Sequence, residues 1–161
     1  MGWLQRFSAA GWTPYAVFAL LIAVPLLVTI GRRELWFSDE IRYAAVLVEM
    51  LRSGDWLALQ LNGAPYPDKP PLYFWFLAAI AWAGGSTAPW VFFLGAAISG
   101  WLFVAAGYRL ARRLMPHAPE IAFASGLLLI ATPYVAALFQ YSRMDLMFAA
   151  LIGLAYLWFY E

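Results

Sequence analysis

The sequence contains no cysteine and a single histidine, and only 12% of its 161 residues are charged. Without cysteine, these residues can form no disulfide and no thiolate metal site. A net charge of +1 gives no case for nucleic-acid binding, which needs a basic patch. The chain is instead rich in apolar residues, at 65%, whereas a soluble domain has about half. This composition indicates a membrane protein.

Ionisable residues divide the chain into long uncharged runs, and a spanning helix needs about 20 apolar residues. We predict spanning helices at about residues 11–31, 89–110, 120–139 and 145–161. The chain is then an all-α membrane protein, a single transmembrane module over residues 1–161. We expect it to be a fragment of a longer chain, because the last run is cut off by the final residue.

A further uncharged segment, Pro70–Ala83, is short for a span and opens with two prolines. The basic cluster Arg109–Arg113 predicts a cytoplasmic end for the second span, and Arg6 predicts a cytoplasmic N-terminus. Residues 70–83 then cannot cross, which favours four spans over five. The external loop 32–88 would carry two interfacial helices, at about 39–53 and 70–83. The alternative is that the basic cluster is merely the charged end of a helix on either side.

The external loop is the most highly charged part of the chain, since eleven of the nineteen charged residues lie between Arg32 and Lys69. Ser38 is a suitable N-cap for its first helix. The apolar positions that share one face, predicted to lie on the membrane, are Ile41, Ala44, Ala45, Val48 and Leu51. The opposite face is predicted to carry Asp39, Arg42 and Tyr43. On spacing alone, a solvated helix with a weak Asp–Arg pair is the better interpretation.

Two other sites combine charge with membrane proximity. Lys69 follows a turn region that begins at Asn62-Gly63, and it could bind a phosphate as a point charge or extend towards lipid headgroups. Arg143 and Asp145 lie between two apolar runs, where charged residues are costly and are functional candidates. The alternative there is an interfacial salt bridge.

Taken together, four short motifs resemble the first external loop of the GT-C glycosyltransferases. They are Ser38–Ala44, Ser53–Trp56, Leu61–Tyr66 and Lys69–Tyr73. The most similar members are the bacterial aminoarabinose transferases and the protein O-mannosyltransferases. The segment Arg143-Met144-Asp145 is similar to the second acidic motif of that family. The order and spacing of several motifs match, which is more specific than any one of them.

The resemblance implies a membrane glycosyltransferase of the cell envelope, as in lipid A modification or protein mannosylation. Such enzymes move a sugar from a polyprenyl-phosphate donor to a lipid or protein acceptor on the periplasmic or external face, with inversion at the anomeric carbon. It also implies an integral protein of the bacterial inner membrane, surrounded by membrane lipids. Two other functions stay open: a non-catalytic membrane module that binds polyprenyl phosphate or a partner subunit, and a small transporter. The transporter ranks last because no inverted repeat is evident in the hydropathy.

The resemblance also implies roles for particular residues. Asp39 would be the general base or lie near it. Asp145, like Asp68, would orient the acceptor, the basic groups or a metal. Lys69 and Arg42 would bind the donor phosphate and stabilise it as it leaves. The residues expected to line the substrate site are Glu40, Tyr43, Tyr66, Asp68 and Arg143. A divalent metal is a possible cofactor, and its candidate ligands are Asp39, Asp68 and Asp145.

Overall fold

The structure is a computed structural model and describes residues 11–159. Seven helices and one short hairpin make up this part of the chain. In chain order they are α1 (Thr13–Thr29), α2 (Ser38–Ser53), β1 (Gln60–Leu61), β2 (Ala64–Pro65), α3 (Leu72–Gly84), α4 (Pro89–Leu114), α5 (Pro119–Ala131), α6 (Pro133–Leu138) and α7 (Asp145–Phe159). The predictions that concern Arg6 and residues 160–161 lie outside the described residues.

Helix α4 is the centre of the bundle, because α1, α3, α5 and α7 all pack against it. Helix α1 runs antiparallel to α4. Tyr15, near the start of α1, packs edge to face on Tyr108 near the end of α4, with 5.3 Å between ring centroids. Beyond the other end of α1, Arg33 lies 4.5 Å from the ring centroid of Phe93, near the start of α4.

Helix α7 runs in the same direction as α4. A Cβ atom added at Gly100 would lie 3.4 Å from Leu146, and one added at Gly153 would lie 3.2 Å from Ala106. Helix α3 folds back on the first half of α4 through residues 85–88. The end of α1, the first half of α4 and the start of α7 therefore come together, and the start of α2 joins them through Glu40.

One helix end and one tight turn lie where the sequence predicts them. Helix α2 ends at Ser53, and Gly54 follows in a left-handed conformation with φ of 73°. Asn62 and Gly63 both have positive φ, 57° and 76°, which is the pattern of the tight turn that joins β1 and β2. Ser38 differs from its prediction: it is the first helical residue, and no side chain caps the helix.

The predicted span at 120–139 is not one continuous helix, and in this respect the prediction is wrong. Helix α5 ends at Ala131 and α6 begins at Pro133. Between them, Thr132 has an extended conformation with ψ of 119°. Proline lacks a backbone N–H and pushes the preceding residue out of the helical region, so Pro133 breaks the helix.

Helix α4 is the one helix within residues 11–159 that is both long and apolar enough to cross a membrane, judged by length and composition alone. Helices α1, α3, α5 and α7 are apolar but shorter. The count of four spans, with α2 and α3 as interfacial helices, therefore stays a prediction.

One side of α2 differs from its prediction, because Tyr43, expected on the open polar face, is buried. The buried side chains of this helix are Glu40, Tyr43, Val46, Leu47 and Met50. Tyr43 packs edge to face on Tyr73 and Phe74 of α3, with ring centroids 6.0 and 5.6 Å away. The face of α2 that was predicted to be polar and open is therefore partly covered by the aromatic residues of α3. Ile41, on the face predicted to lie on the membrane, is 53% exposed, so the protein does not cover it and this part of the prediction stands open.

Candidate functional site

Four charged side chains form a chain of ion pairs at the end of the bundle where α1, α2 and α7 meet. Asp39 Oδ1 lies 3.7 Å from Arg42 Nη1, and Asp39 Oδ2 lies 3.8 Å from Arg143 Nη2. Arg143 Nε donates a hydrogen bond to Asp145 Oδ2 at 3.0 Å. The four side chains are between 35% and 45% exposed. We call these four residues the acid–base cluster.

Two helix starts position the carboxylates of the cluster. Asp39 lies in the first turn of α2, and Asp145 is the first residue of α7. A carboxylate is stabilised at a helix N-terminus by the exposed N–H groups and by the helix dipole. Arg143 lies on the loop just before α7 and joins the two carboxylates, so segments far apart in sequence form one site.

A cavity of about 180 Å³ opens beside the acid–base cluster. Asp39 and Arg143 contribute its charged wall, and Phe37, Tyr134 and Tyr141 contribute aromatic surface. Phe37 and Tyr141 contact each other edge to face, with ring centroids 4.4 Å apart. The cavity thus offers a carboxylate and a cation next to aromatic rings. Sequence reasoning did not identify these three aromatic residues as part of the site.

Tyr43 and Tyr66, the two tyrosines predicted to line the substrate site, are buried in the protein. Tyr43 and Tyr66 are 1% and 6% exposed, respectively. Burial, and secondarily the charge of Asp39, raises the pKa of the Tyr43 phenol to about 12. The pKa of the Arg42 guanidinium is raised by the neighbouring Tyr66, with smaller contributions from Asp39 and Asp68. Both tyrosines are therefore packed inside the protein next to the charged residues, and neither offers an open surface to a substrate.

Lys69 is not part of the acid–base cluster. It is half-buried just before α3, and within residues 11–159 it forms neither an ion pair nor a hydrogen bond. Tyr73, in the first turn of α3, exchanges a 3.1 Å hydrogen bond with the Ser142 hydroxyl, which brings this end of the helix to the loop before α7. Asp68 is exposed and close enough to Arg42 to affect its pKa.

Glu40, which is predicted to line the substrate site, holds its carboxylate against protein. It borders the cavity, but its side chain has no exposed surface. Its Oε1 accepts a hydrogen bond from Arg33 Nη2 at 2.8 Å and another from the backbone N–H of Ser142 at 3.1 Å. The carboxylate faces protein because it accepts hydrogen bonds from the Arg33 guanidinium and from the backbone amide of Ser142 in the loop. Neither partner was singled out from the sequence.

The residues that the structure describes, 11–159, do not bring together the ligands of a metal site. In the part of the chain that the structure describes, no three His, Cys, Asp or Glu side chains lie together as a bound metal ion would require. Asp39 and Asp145, two of the three candidate ligands, are both occupied by the guanidinium of Arg143. We therefore derive no step through a metal.

The raised pKa of Tyr43 predicts a loss of stability at high pH. The folded state keeps this phenol neutral up to about pH 12, whereas an unfolded tyrosine ionises near 10. Stability is therefore unaffected below about pH 10 and falls between about pH 10 and 12. We expect Tyr43→Phe to reduce this fall, as measured by thermal denaturation in detergent at stepped pH. Equal falls in variant and parent would contradict the prediction.

Comparison with known proteins gives a consistent result. Residues 68–161 match the family described as dolichyl-phosphate-mannose-protein mannosyltransferase. The undecaprenyl phosphate-alpha-4-amino-4-deoxy-L-arabinose arabinosyl transferase of Pseudomonas savastanoi pv. phaseolicola is 38% identical over 130 residues, which cover 79% of this chain and 24% of that protein. A transferase of the same description from Pseudomonas fluorescens is 34% identical over 149 residues, covering 90% of this chain and 25% of the relative.

The fold is also similar to a solved structure. ArnT from Cupriavidus metallidurans bound to undecaprenyl phosphate superimposes with a TM-score of 0.74 and 30% identity, over 90% of this chain and 26% of that one. The chain thus spans about a quarter of the length of the relatives it matches. The predicted all-α membrane fold and the predicted resemblance to aminoarabinose transferases agree with these matches.

Proposed function

The chain belongs to the dolichyl-phosphate-mannose-protein mannosyltransferase family and resembles the aminoarabinose transferases in it, and on that premise we propose that it is the part of a membrane glycosyltransferase that carries the reacting groups. The donor would be a sugar linked to a polyprenyl phosphate, and the acceptor would be a lipid or protein. The observation that carries the proposal is the acid–base cluster beside an open cavity. A carboxylate and two guanidinium groups are the groups that a transfer from a phosphate donor requires.

The proposed reaction is a single displacement at the anomeric carbon. Asp39 accepts the proton of the acceptor hydroxyl as the new C–O bond forms. The bond between the anomeric carbon and the phosphate oxygen breaks, and the polyprenyl phosphate leaves with its electron pair. Arg42 and Lys69 stabilise the negative charge that grows on the departing phosphate. Asp145 holds Arg143 in place against Asp39.

The reaction would take place on the periplasmic face of the bacterial inner membrane. The antiparallel packing of α1 and α4 supports this arrangement. If both helices cross, the segment between them must begin and end on the same side, so α3 does not cross. The basic residues at the end of α4 are expected in the cytoplasm by the positive-inside rule, which leaves the acid–base cluster on the opposite side.

The direct test is transfer by the full chain in proteoliposomes that contain a polyprenyl-phosphate-linked sugar and a candidate acceptor. We expect labelled sugar to leave the lipid and to appear on the acceptor. Nuclear magnetic resonance of the product would show a configuration opposite to that of the donor. Retention of configuration would rule out the single displacement, because two successive displacements would then be needed.

A second candidate is a non-catalytic module that binds polyprenyl phosphate or a partner subunit. Within residues 11–159 Lys69 has no partner, so it is available to bind a phosphate in such a module as it is in the enzyme. In such a module, Lys69 and Arg42 would be needed for lipid binding, and Asp39 would not. Lipid binding and transfer measured on the same variants therefore separate the two candidates.

Lys69 provides the first of these measurements. We expect Lys69→Ala to weaken binding of polyprenyl phosphate by about tenfold, in line with the loss of a hydrogen bond to a charged group. Lys69→Arg should retain most of the affinity, since it keeps the charge. Binding can be measured by titrating the lipid into the protein in detergent. The matched control is Arg52→Ala, which removes an exposed cation from the far end of α2. Equal effects of the two alanine substitutions would remove Lys69 from the phosphate site.

A further inference from the structure

Arg33 and Glu40 form an ion pair that the proposed reaction does not use, in which Glu40 is fully buried and the Arg33 side chain is 21% exposed. Arg33 Nη2 donates to Glu40 Oε1 at 2.8 Å, and the side chain of Glu40 has no exposed surface. The guanidinium of Arg33 also lies over two aromatic rings, 4.5 Å from the centroid of Phe93 and 4.7 Å from that of Tyr141. Cation–π contacts of this kind gain strength away from water. The pair is therefore fixed in one geometry.

The same pair binds the loop that carries Arg143. Glu40 Oε1 accepts the backbone N–H of Ser142 at 3.1 Å. Arg33 donates through Nη1 to the backbone carbonyl of Gln140. One ion pair thus bonds two peptide groups of the loop immediately before Arg143, which is the cation that faces Asp39.

This arrangement is not the one that stability alone would favour. Removing two charges from water is costly, and well-packed apolar residues often replace a buried ion pair without loss. Here the cost is increased, because Glu40 Oε2 has no hydrogen-bond partner in the described part of the chain. Apolar side chains could fill the space between α2 and the loop. They could not hold the loop by directed hydrogen bonds.

We infer that Arg33 and Glu40 are positioning residues that set the distance between Arg143 and Asp39. The inference rests on the proposed function. Two consecutive residues of α2 have different roles. Asp39 borders the cavity, whereas Glu40 fixes the position of the loop that carries Arg143. Neither Arg33 nor Glu40 needs to touch the substrate. A shift of the loop would change the 3.8 Å separation of Asp39 and Arg143, and misplacement by about 1 Å can slow a reaction about a hundredfold.

Glu40→Gln tests the inference, since it keeps the size and one carbonyl oxygen but removes the charge. We expect kcat to fall by about ten- to a hundredfold, with the KM for the donor nearly unchanged. The matched control is Glu49→Gln on the same helix, where the carboxylate accepts the backbone N–H of Gly63 at 2.8 Å, and there kcat should not change. Arg33→Lys should retain more activity than Arg33→Met, because lysine can still pair with Glu40.

Hydrogen–deuterium exchange of the full chain gives a readout that does not depend on activity. In Glu40→Gln we expect faster exchange of the amides of residues 139–142, with no change in α4. Exchange and kcat that both match the parent would overturn the inference, as would faster exchange throughout the chain. Loss of transfer in Asp39→Asn with full transfer in Glu40→Gln would overturn the inference and leave the proposed function standing. A parent without transfer, in which the loop still responds to Glu40→Gln, would reject the proposed function and support the coupling between Glu40 and the loop.

Discussion

Asp39→Asn in the full chain should slow sugar transfer by about 10²- to 10⁴-fold, the usual contribution of a general base. Asparagine keeps the size of the side chain and one oxygen, so the helix start and the contact with Arg42 are largely retained. It cannot accept a proton from the acceptor hydroxyl. The effect should therefore appear in kcat, while binding of the lipid donor stays close to that of the parent. Initial rates of transfer in proteoliposomes provide the measurement.

The control for this variant is Asp55→Asn, the same substitution in the same predicted loop. Asp55 Oδ1 accepts the backbone N–H groups of Leu57 and Ala58 at 3.1 and 2.9 Å, which an asparagine oxygen can also do. It has no contact with the acid–base cluster, so transfer should be unchanged. If Asp39→Asn transferred as fast as Asp55→Asn, Asp39 could not be the base, and another group would have to accept the proton of the acceptor hydroxyl.

The parts of this structure that depend on neighbouring residues could be predicted from the sequence. Helix α2 occupies Ser38–Ser53, close to the predicted 39–53, and α3 occupies Leu72–Gly84, close to the predicted 70–83. In each case the signal is local, such as a glycine that leaves the helix in a left-handed conformation at Gly54 or Gly85. The span prediction missed the break at Pro133, although its signal is equally local: proline disfavours a helical conformation in the residue before it.

The packing of α2 could not be predicted, because it depends on which element covers it. Apolar residues occupy both sides of this helix, so periodicity alone does not say which side faces the protein. Helix α3 determines which side of α2 is buried, because its residues Tyr73 and Phe74 pack against Tyr43. The role of Glu40 depends on an amide 102 residues further along the chain, and no local pattern carries that information.

The residues of the acid–base cluster could be predicted from the sequence only in part. The resemblance to a known family pointed to Asp39 and Asp145 separately, and the span count placed them on one side of the membrane. Neither argument assigned Arg143 as the link between the two carboxylates. Its two contacts, at 3.8 and 3.0 Å, depend on how α2 and the start of α7 meet in three dimensions.

This link leads to the second large effect that we expect. Arg143→Gln should lower kcat by about a hundredfold, comparable to the loss of one preorganised charged donor from an active site. Without the guanidinium, Asp39 and Asp145 face each other with no cation between them, and like charges repel. Arg143→Lys should fall between the parent and Arg143→Gln. A lysine ammonium keeps the charge, but it is a point charge without the planar fork by which arginine bonds both carboxylates at once.

The measurement is again the initial rate of transfer, with Arg52→Gln as the matched control, because Arg52 is an exposed arginine at the far end of α2. A double variant that carries both Asp39→Asn and Arg143→Gln distinguishes shared from separate action. If the two residues act as a unit, the double variant should be little slower than Asp39→Asn alone, because removing the base already abolishes the step that Arg143 supports. Fully additive losses would mean that Arg143 acts elsewhere, and the acid–base cluster would then be two adjacent sites rather than one.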